Sequence, residues 1–274
     1  MEYGKNLLKK NREEEKAGYV MNKVIVFGDL PIATKIVQYL EKMKDVEMGV
    51  VIGNERPHNN DPWKNVPLLI DYCLEKNIEM YSMEGLLETY KTGELCLGLS
   101  CRFSKIIKQP VINLFDKGII NMHGGLLPEF AGLCSVNQTL IHNSKLGGGT
   151  LHYIDEGIDT GDIIRRCEFE IEDNDTAYSV FQKTQVVLEK NLEEIIPLAI
   201  RGKVKTKTME QYIKEGHESH YYNKKDLEKF RCIELKKMTE KEIELRVRAF
   251  DFPGYEPAYF LDSNAKKVYL RYHF

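Results

Sequence analysis

Three side chains in the 274-residue sequence suit proton and charge handling: Asn121, His123 and Asp159. Imidazole titrates close to working pH, so His123 is a candidate acid or base. Asn121 offers an amide two residues earlier, on the same side of an extended chain. Asp159 stands 36 residues after His123, inside the acidic, glycine-punctuated stretch Asp155-Glu156-Gly157-Ile158-Asp159-Thr160-Gly161-Asp162. A carboxylate there can orient an imidazole ring and balance positive charge on it. Taken singly, each residue also has a bland reading: a structural histidine, an asparagine capping a turn, an Asp-Gly turn. Asp155, Asp159 and Asp162 superficially suggest a calcium loop, but the spacing and the missing bidentate glutamate do not fit an EF-hand. No metal is expected.

Such groups must be held by a rigid frame, and the flanking sequence supplies one. Lys23 to Asp29 reads as a short buried strand, followed by a helical pattern in Ile32, Ile36, Val37 and Leu40. Strands are predicted over Val46 to Gly53, Ile78 to Tyr81, Leu95 to Leu99 and Gly118 to His123, with helices near Leu68 to Leu74 and Leu86 to Tyr90 between them. This alternation predicts an α/β fold, a Rossmann-like open, mostly parallel sheet whose ligands gather beyond the carboxyl ends of the strands. Asn121 and His123 fall at such an end, just before Gly124-Gly125, where the backbone can be approached closely. A helix over Ser135 to His142 follows. The glycine run 147–149 is read as a tight turn leading into a strand from Thr150 to Ile154, and another strand spans Ile163 to Ile171. Asp173 to Asp175 offers caps to the longest helix, Tyr178 to Ile200, which Gly202 closes.

Three segments are therefore expected: a charged extension over 1–20, a catalytic domain over 21–202, and a small C-terminal α+β subdomain over 203–274, rich in Lys and Glu with late aromatics. The 39 basic and 42 acidic residues give a formal charge of −3, which argues against a protein built to grip nucleic acid. A mean hydropathy of −0.40 and the lack of a long apolar run argue against a membrane span. The first twenty residues hold no apolar stretch of the secretory kind, and the six cysteines form no C-x-x-C pair. A cytoplasmic protein with reduced thiols is expected.

Asn121-Met122-His123-Gly124-Gly125-Leu126-Leu127-Pro128 resembles the N-x-H-x-x-L-L-P signature of N10-formyltetrahydrofolate-dependent formyltransferases. Glu156 to Ile164 resembles that family's G-x-D-x-G loop, at a matching distance. The resemblance covers about Lys23 to Gly202, and Phe252-Pro253-Gly254-Tyr255 is similar to an aromatic segment in the appended domains of some members. It implies that a primary amine attacks the formyl carbon of the folate co-substrate. Asn121 and His123 would stabilise the oxygen, His123 would relay the amine's proton, and Asp159 would hold the ring. It also implies a folate pocket from Leu99, Ser100, Arg102 and Phe103 on one wall and Ile154, Asp155 and Gly157 on the other.

The resemblance leaves the acceptor among glycinamide ribonucleotide, methionyl-tRNA, hydroxyornithine and amino sugars on nucleotides. His-Gly-Gly in place of the common His-Pro-Ser is similar to the sugar branch, so the expected acceptor is a nucleotide-linked amino-deoxy sugar, a dTDP sugar bound for a bacterial surface glycan. Lys105 is then expected at the diphosphate, Phe252 and Tyr255 at the base, and Gly124 and Gly125 beside the acceptor, in a homodimer. Solvated, core or dimer-contact roles compete for Lys105 and the two aromatics. The other readings are transfer to hydroxyornithine or methionyl-tRNA, and a non-catalytic sensor of folate or a nucleotide sugar.

Overall fold

A computed structural model describes residues 21–54 and 60–272, so the expected extension over 1–20 lies outside the described residues. The first half of the chain alternates strands and helices: β1 (Asn22–Gly28), α1 (Pro31–Leu40), β2 (Val46–Ile52), α2 (Leu69–Lys76), β3 (Glu79–Tyr81), α3 (Met83–Thr89), β4 (Leu97–Cys101), α4 (Gln109–Ile112) and β5 (Ile119–His123). The second half continues with β6 (Ala131–Gly132), α5 (Ser135–Ile141), β7 (Leu146–Tyr153), β8 (Ile163–Glu170) and α6 (Ala177–Ile200). The tail adds α7 (Met209–Lys214), β9 (Tyr221–Tyr222), α8 (Lys224–Arg231), α9 (Glu240–Ala249), β10 (Ala258–Leu261) and β11 (Lys267–Leu270).

The main sheet runs β3-β2-β1-β4-β5-β7-β8. Its first five strands are parallel, and β7 and β8 are antiparallel additions. Val24 to Phe27 are fully buried, as a strand covered on both faces requires. One face packs Val24, Val26, Leu99, Ile120 and Met122 against α1 and α6. The other packs Ile25, Phe27 and Ile119 with Leu86 and Val111. Because successive side chains of a strand alternate, Asn121 and His123 share the face of Ile119, opposite Ile120 and Met122.

The glycine run corrects the expected tight turn: Gly147, Gly148 and Gly149 lie within β7. Bare backbone is needed there because a Cβ on Gly148 would sit 2.1 Å from the Cys167 carbonyl, and one on Gly149 would sit 2.6 Å from the His123 carbonyl. Nor does an aspartate cap the long helix. Thr176 is its N-cap in a reciprocal box with Ser179, and Asp175 instead accepts from the Ser179 hydroxyl.

The tail forms a two-stranded β10–β11 hairpin and three helices, but its core is shared. Leu227, Ile233, Val247 and Phe250 pack with Leu140, Ala177 and Val180 in one cluster. Arg248, 3% exposed, crosses the same line by donating to the carbonyls of Asp175 and Glu172. The composition shift near residue 202 therefore does not coincide with a gap in packing.

Candidate active site

At the carboxyl end of β5 the His123 ring is buried, and both its nitrogens face acceptors. Nε2 lies 2.8 Å from the Phe130 carbonyl, and Nδ1 lies 3.4 Å from Asp159 Oδ2. A carbonyl can only accept, so Nε2 carries a proton. A proton arriving at Nδ1 meets the Asp159 carboxylate. Asp159 itself has φ +57°, a left-handed conformation that aspartate tolerates better than most residues. The loop fixes it there: Gly157 N–H and the Thr160 hydroxyl donate to Asp155 Oδ1, and Gly132 N–H donates to Asp159 Oδ2 at 2.9 Å. A Cβ on Gly161 would stand 1.9 Å from the Tyr153 carbonyl, so the turn behind Asp159 closes only with glycine.

A second histidine, which the sequence reading missed, completes the cluster. His152 on β7 is the antiparallel partner of Asn121, and its Nε2 lies 3.0 Å from Asn121 Nδ2 and 3.7 Å from Asp159 Oδ1. Its Nδ1 faces the Tyr153 carbonyl at 2.9 Å and must be the protonated nitrogen, leaving a lone pair on Nε2 to accept from the Asn121 amide. Burial, and after it the neighbouring His123, push the His152 imidazole down to about 4. It therefore stays neutral and keeps accepting. The structure thus brings Asn121, His123 and Asp159 together, with His152 hydrogen-bonded to the first and its Nε2 beside the third.

The residues expected around a folate divide by face. Phe103 and Ile154 pack on the cluster below Asn121 and His123, with Phe103 edge-on to Phe27 at 5.5 Å. Ser100 is the strand neighbour of Asn121. Leu99 is fully buried in the opposite core, so its side chain cannot face that site. The Asp155 carboxylate is engaged by its own loop, where Gly157 is needed because a Cβ would stand 2.0 Å from the Thr160 hydroxyl. Arg102 reaches Asp61 at 3.4 Å and lies over the Phe181 ring, 4.8 Å from its centroid, so it is not the solvated residue its sequence position allows. Among the described residues no group of three or more His, Cys, Asp or Glu could hold a metal ion.

On the other side of β5 a cavity of about 460 Å³ opens at Met122 and Gly124, the neighbours of His123. Arg102, Arg231, Gln185, Phe252 and Tyr255 contribute to its wall. Gln185 is 2% exposed and its Oε1 has no hydrogen-bond partner. Phe252 sits edge-on to Tyr178, Phe181 and Tyr255, a cluster that gives the cavity an aromatic rim. Gly124 has open space where its Cβ would be, whereas Gly125 is pressed against Ser135 and Phe130 and cannot face a ligand with a side chain in its place. Lys105 is exposed on the segment after β4 and does not line the cavity, whose cations are Arg102 and Arg231. Arg231 is held by Glu228 and the Glu256 carbonyl.

Residues 82–196 match the family model for formyl transferase. A methionyl-tRNA formyltransferase from Fusobacterium nucleatum is 26% identical over 194 residues, which make up 69% of this chain and 62% of that protein. The chain thus spans less than two thirds of the length of curated relatives such as these. Solved structures align over more of it. A 4-N formyltransferase from Francisella tularensis superposes with a TM-score of 0.74 at 22% identity, covering 92% of this chain and 97% of the other. An N-formyltransferase from Helicobacter canadensis, solved with folinic acid and dTDP-3-aminofucose, gives a TM-score of 0.67 at 25% identity over 90% of this chain and 86% of the other.

Proposed function

We propose that this chain, whose residues 82–196 match the formyl transferase family model, transfers the formyl group of N10-formyltetrahydrofolate to the amine of a nucleotide-linked amino-deoxy sugar, with dTDP as the nucleotide. The observation that carries this reading is the pairing of the Asn121–His123–Asp159 cluster with a cavity that opens across β5 and offers two arginines and an aromatic rim. Arginines suit a diphosphate and flat rings suit a base. The co-substrate supplies an electrophilic formyl carbon, and the apolar Phe103 and Ile154 with the 154–157 loop would hold its ring.

The chain's own groups then have definite work. Asn121 has one amide hydrogen engaged by His152 and a second for an oxygen that gains negative charge as the amine adds. His123 takes the proton the amine gives up, at the nitrogen facing Asp159, whose carboxylate offsets the charge on the ring, and gives it to N10 as the bond from the formyl carbon to N10 breaks and tetrahydrofolate leaves. Residues 21–202 would act as the transfer unit and the tail as the acceptor-side wall, since Arg231, Phe252 and Tyr255 all come from it. The reading extends to a cytoplasmic homodimer that modifies sugars for a bacterial surface glycan.

Transfer to methionyl-tRNA is the second reading, favoured by the identity to tRNA formyltransferases. One assay separates the two. The chain is incubated with N10-formyltetrahydrofolate and, in turn, dTDP-amino sugars, UDP-amino sugars and methionyl-tRNA, with tetrahydrofolate release and product mass followed. A formyl group gained by a dTDP-amino sugar and lost with His123→Ala is expected. Turnover with methionyl-tRNA alone overturns the sugar assignment.

A further inference from the structure

The loop after β5 carries both backbone groups that hold the central pair: the Phe130 carbonyl on His123 and the Gly132 amide on Asp159. The first part of this stretch is fixed within the sheet region, where Thr150 bonds Gly125 and Leu127, and Phe130 N–H donates to the Leu126 carbonyl. The tail adds a second set of contacts. β6 pairs in parallel with β9, matching Ala131 to Tyr221 and Gly132 to Tyr222. Ala131 N–H donates to the His220 carbonyl, Leu133 N–H to the Tyr222 carbonyl, and His220 N–H to the Pro128 carbonyl. The Tyr222 ring stacks on the Phe130 ring, centroids 6.2 Å apart at 20°. His217 Nδ1 meets Glu129 at 2.7 Å, and Arg166 reaches the same carboxylate at 2.5 Å. Burial opposes ionisation of Glu129, yet the bonds from Arg166 and His217 hold it below the usual carboxylate range. A Cβ on Gly132 would lie 2.2 Å from the Tyr222 carbonyl, so loop and strap touch without room for a side chain.

We propose that residues 217–222 are a positioning strap for His123 and Asp159, acting through the backbone of the loop after β5, with Tyr222 as its anchoring side chain. The inference rests on the reading of His123 and Asp159 as the transfer site. The catalytic geometry is then completed by a part of the chain that contacts neither residue directly. A shift of Phe130 by a fraction of an ångström moves the acceptor on Nε2 and turns the His123 ring.

The test compares Tyr222→Ala, Tyr222→Phe and a remote tail control, Lys237→Ala, in the full chain. Three readouts are followed: kcat and KM, the pH dependence of kcat, and the ring nitrogen resonances of His123. Tyr222→Ala is expected to lower kcat by about tenfold or more with KM changed by less than about threefold, because small misplacements of reacting groups are costly. It should also alter the pH profile and move the His123 resonances. Tyr222→Phe keeps the stacked ring and should restore all three, as should Lys237→Ala. A kcat within about twofold of the parent, or a loss that Tyr222→Phe shares, overturns the proposal. If the parent transfers no formyl group, the resonances decide alone: moved in Tyr222→Ala and retained in Tyr222→Phe supports the strap, unmoved overturns it. Should Tyr222→Ala fail to fold, Tyr222→Leu is read by the same criteria.

Discussion

Asn121 and His152 stand opposite each other on β5 and β7, with the amide nitrogen 3.0 Å from the imidazole Nε2. The direction of this bond is fixed from the far side of the ring, because Nδ1–H can only be donating to the Tyr153 carbonyl at 2.9 Å. His152 therefore sets which end of the Asn121 amide faces the site.

It follows that His152→Ala acts through Asn121. Freed to rotate, the amide presents its donor in only part of the population, and kcat should fall by about tenfold, while Asn121→Ala costs about a hundredfold. The double variant should be no worse than Asn121→Ala alone, since one residue works through the other. Steady-state kinetics on the four proteins measure this coupling, and simple multiplication of the two losses would disprove it.

The same ring makes stability depend on pH. His152 titrates near 6.5 when unfolded and at about 4 when folded, because burial and His123 disfavour its charged form. Between those values the unfolded chain binds the extra proton, so stability is complete above about 6.5 and is lost as the pH falls towards 4. From pH 7 to pH 5 the contribution amounts to about 2 kcal/mol. Urea unfolding at the two pH values should show that much more loss in the parent than in His152→Gln. Equal losses in both would show that another group is responsible.

Much of the frame was legible in the residues. Val24 to Phe27 reads as a buried strand because it is apolar on both faces, and Asn121 and His123 fall at a strand end because β5 carries them out of the core on alternate positions. What was not legible depends on pairing between distant segments. His152 becomes significant only through its antiparallel register with Asn121, 31 residues away, and no local pattern in β7 announces that partner. The Gly147–Gly149 run was misread as a turn because the reason for bare backbone lies in Cys167 and His123, on the neighbouring strands. Arg231 was passed over for Lys105 because α8 reaches the cavity from far along the chain.

Asp159→Asn isolates the charge of the third residue. Asparagine accepts the left-handed φ of +57° and can still accept from Gly132 N–H, so backbone and loop should persist. The melting temperature should stay within about 2 °C of the parent while kcat drops by about a hundredfold, the range for charge-stabilising groups in comparable sites. A variant that keeps its rate would remove Asp159 from the mechanism. One that loses rate and stability together would mean that its task is to hold the loop.

The paired glycines after His123 offer a last discrimination, because they look alike in sequence and differ in surroundings. Gly124 lines the cavity beside Met122, and an added methyl there meets nothing within 4 Å. At Gly125 it would come within 2.5 Å of Ser135 Cβ and 2.8 Å of the Phe130 carbonyl, the group that holds His123 Nε2. Gly124→Ala should therefore fold normally and keep kcat, raising only the acceptor KM by a few-fold, as the loss of a little space in a binding pocket does. Gly125→Ala should destabilise the fold by about 1–3 kcal/mol through overpacking and lower kcat by displacing Phe130. Thermal melts alongside acceptor kinetics distinguish the two. An unchanged acceptor KM in Gly124→Ala would place the amine elsewhere than the cavity that opens at this residue.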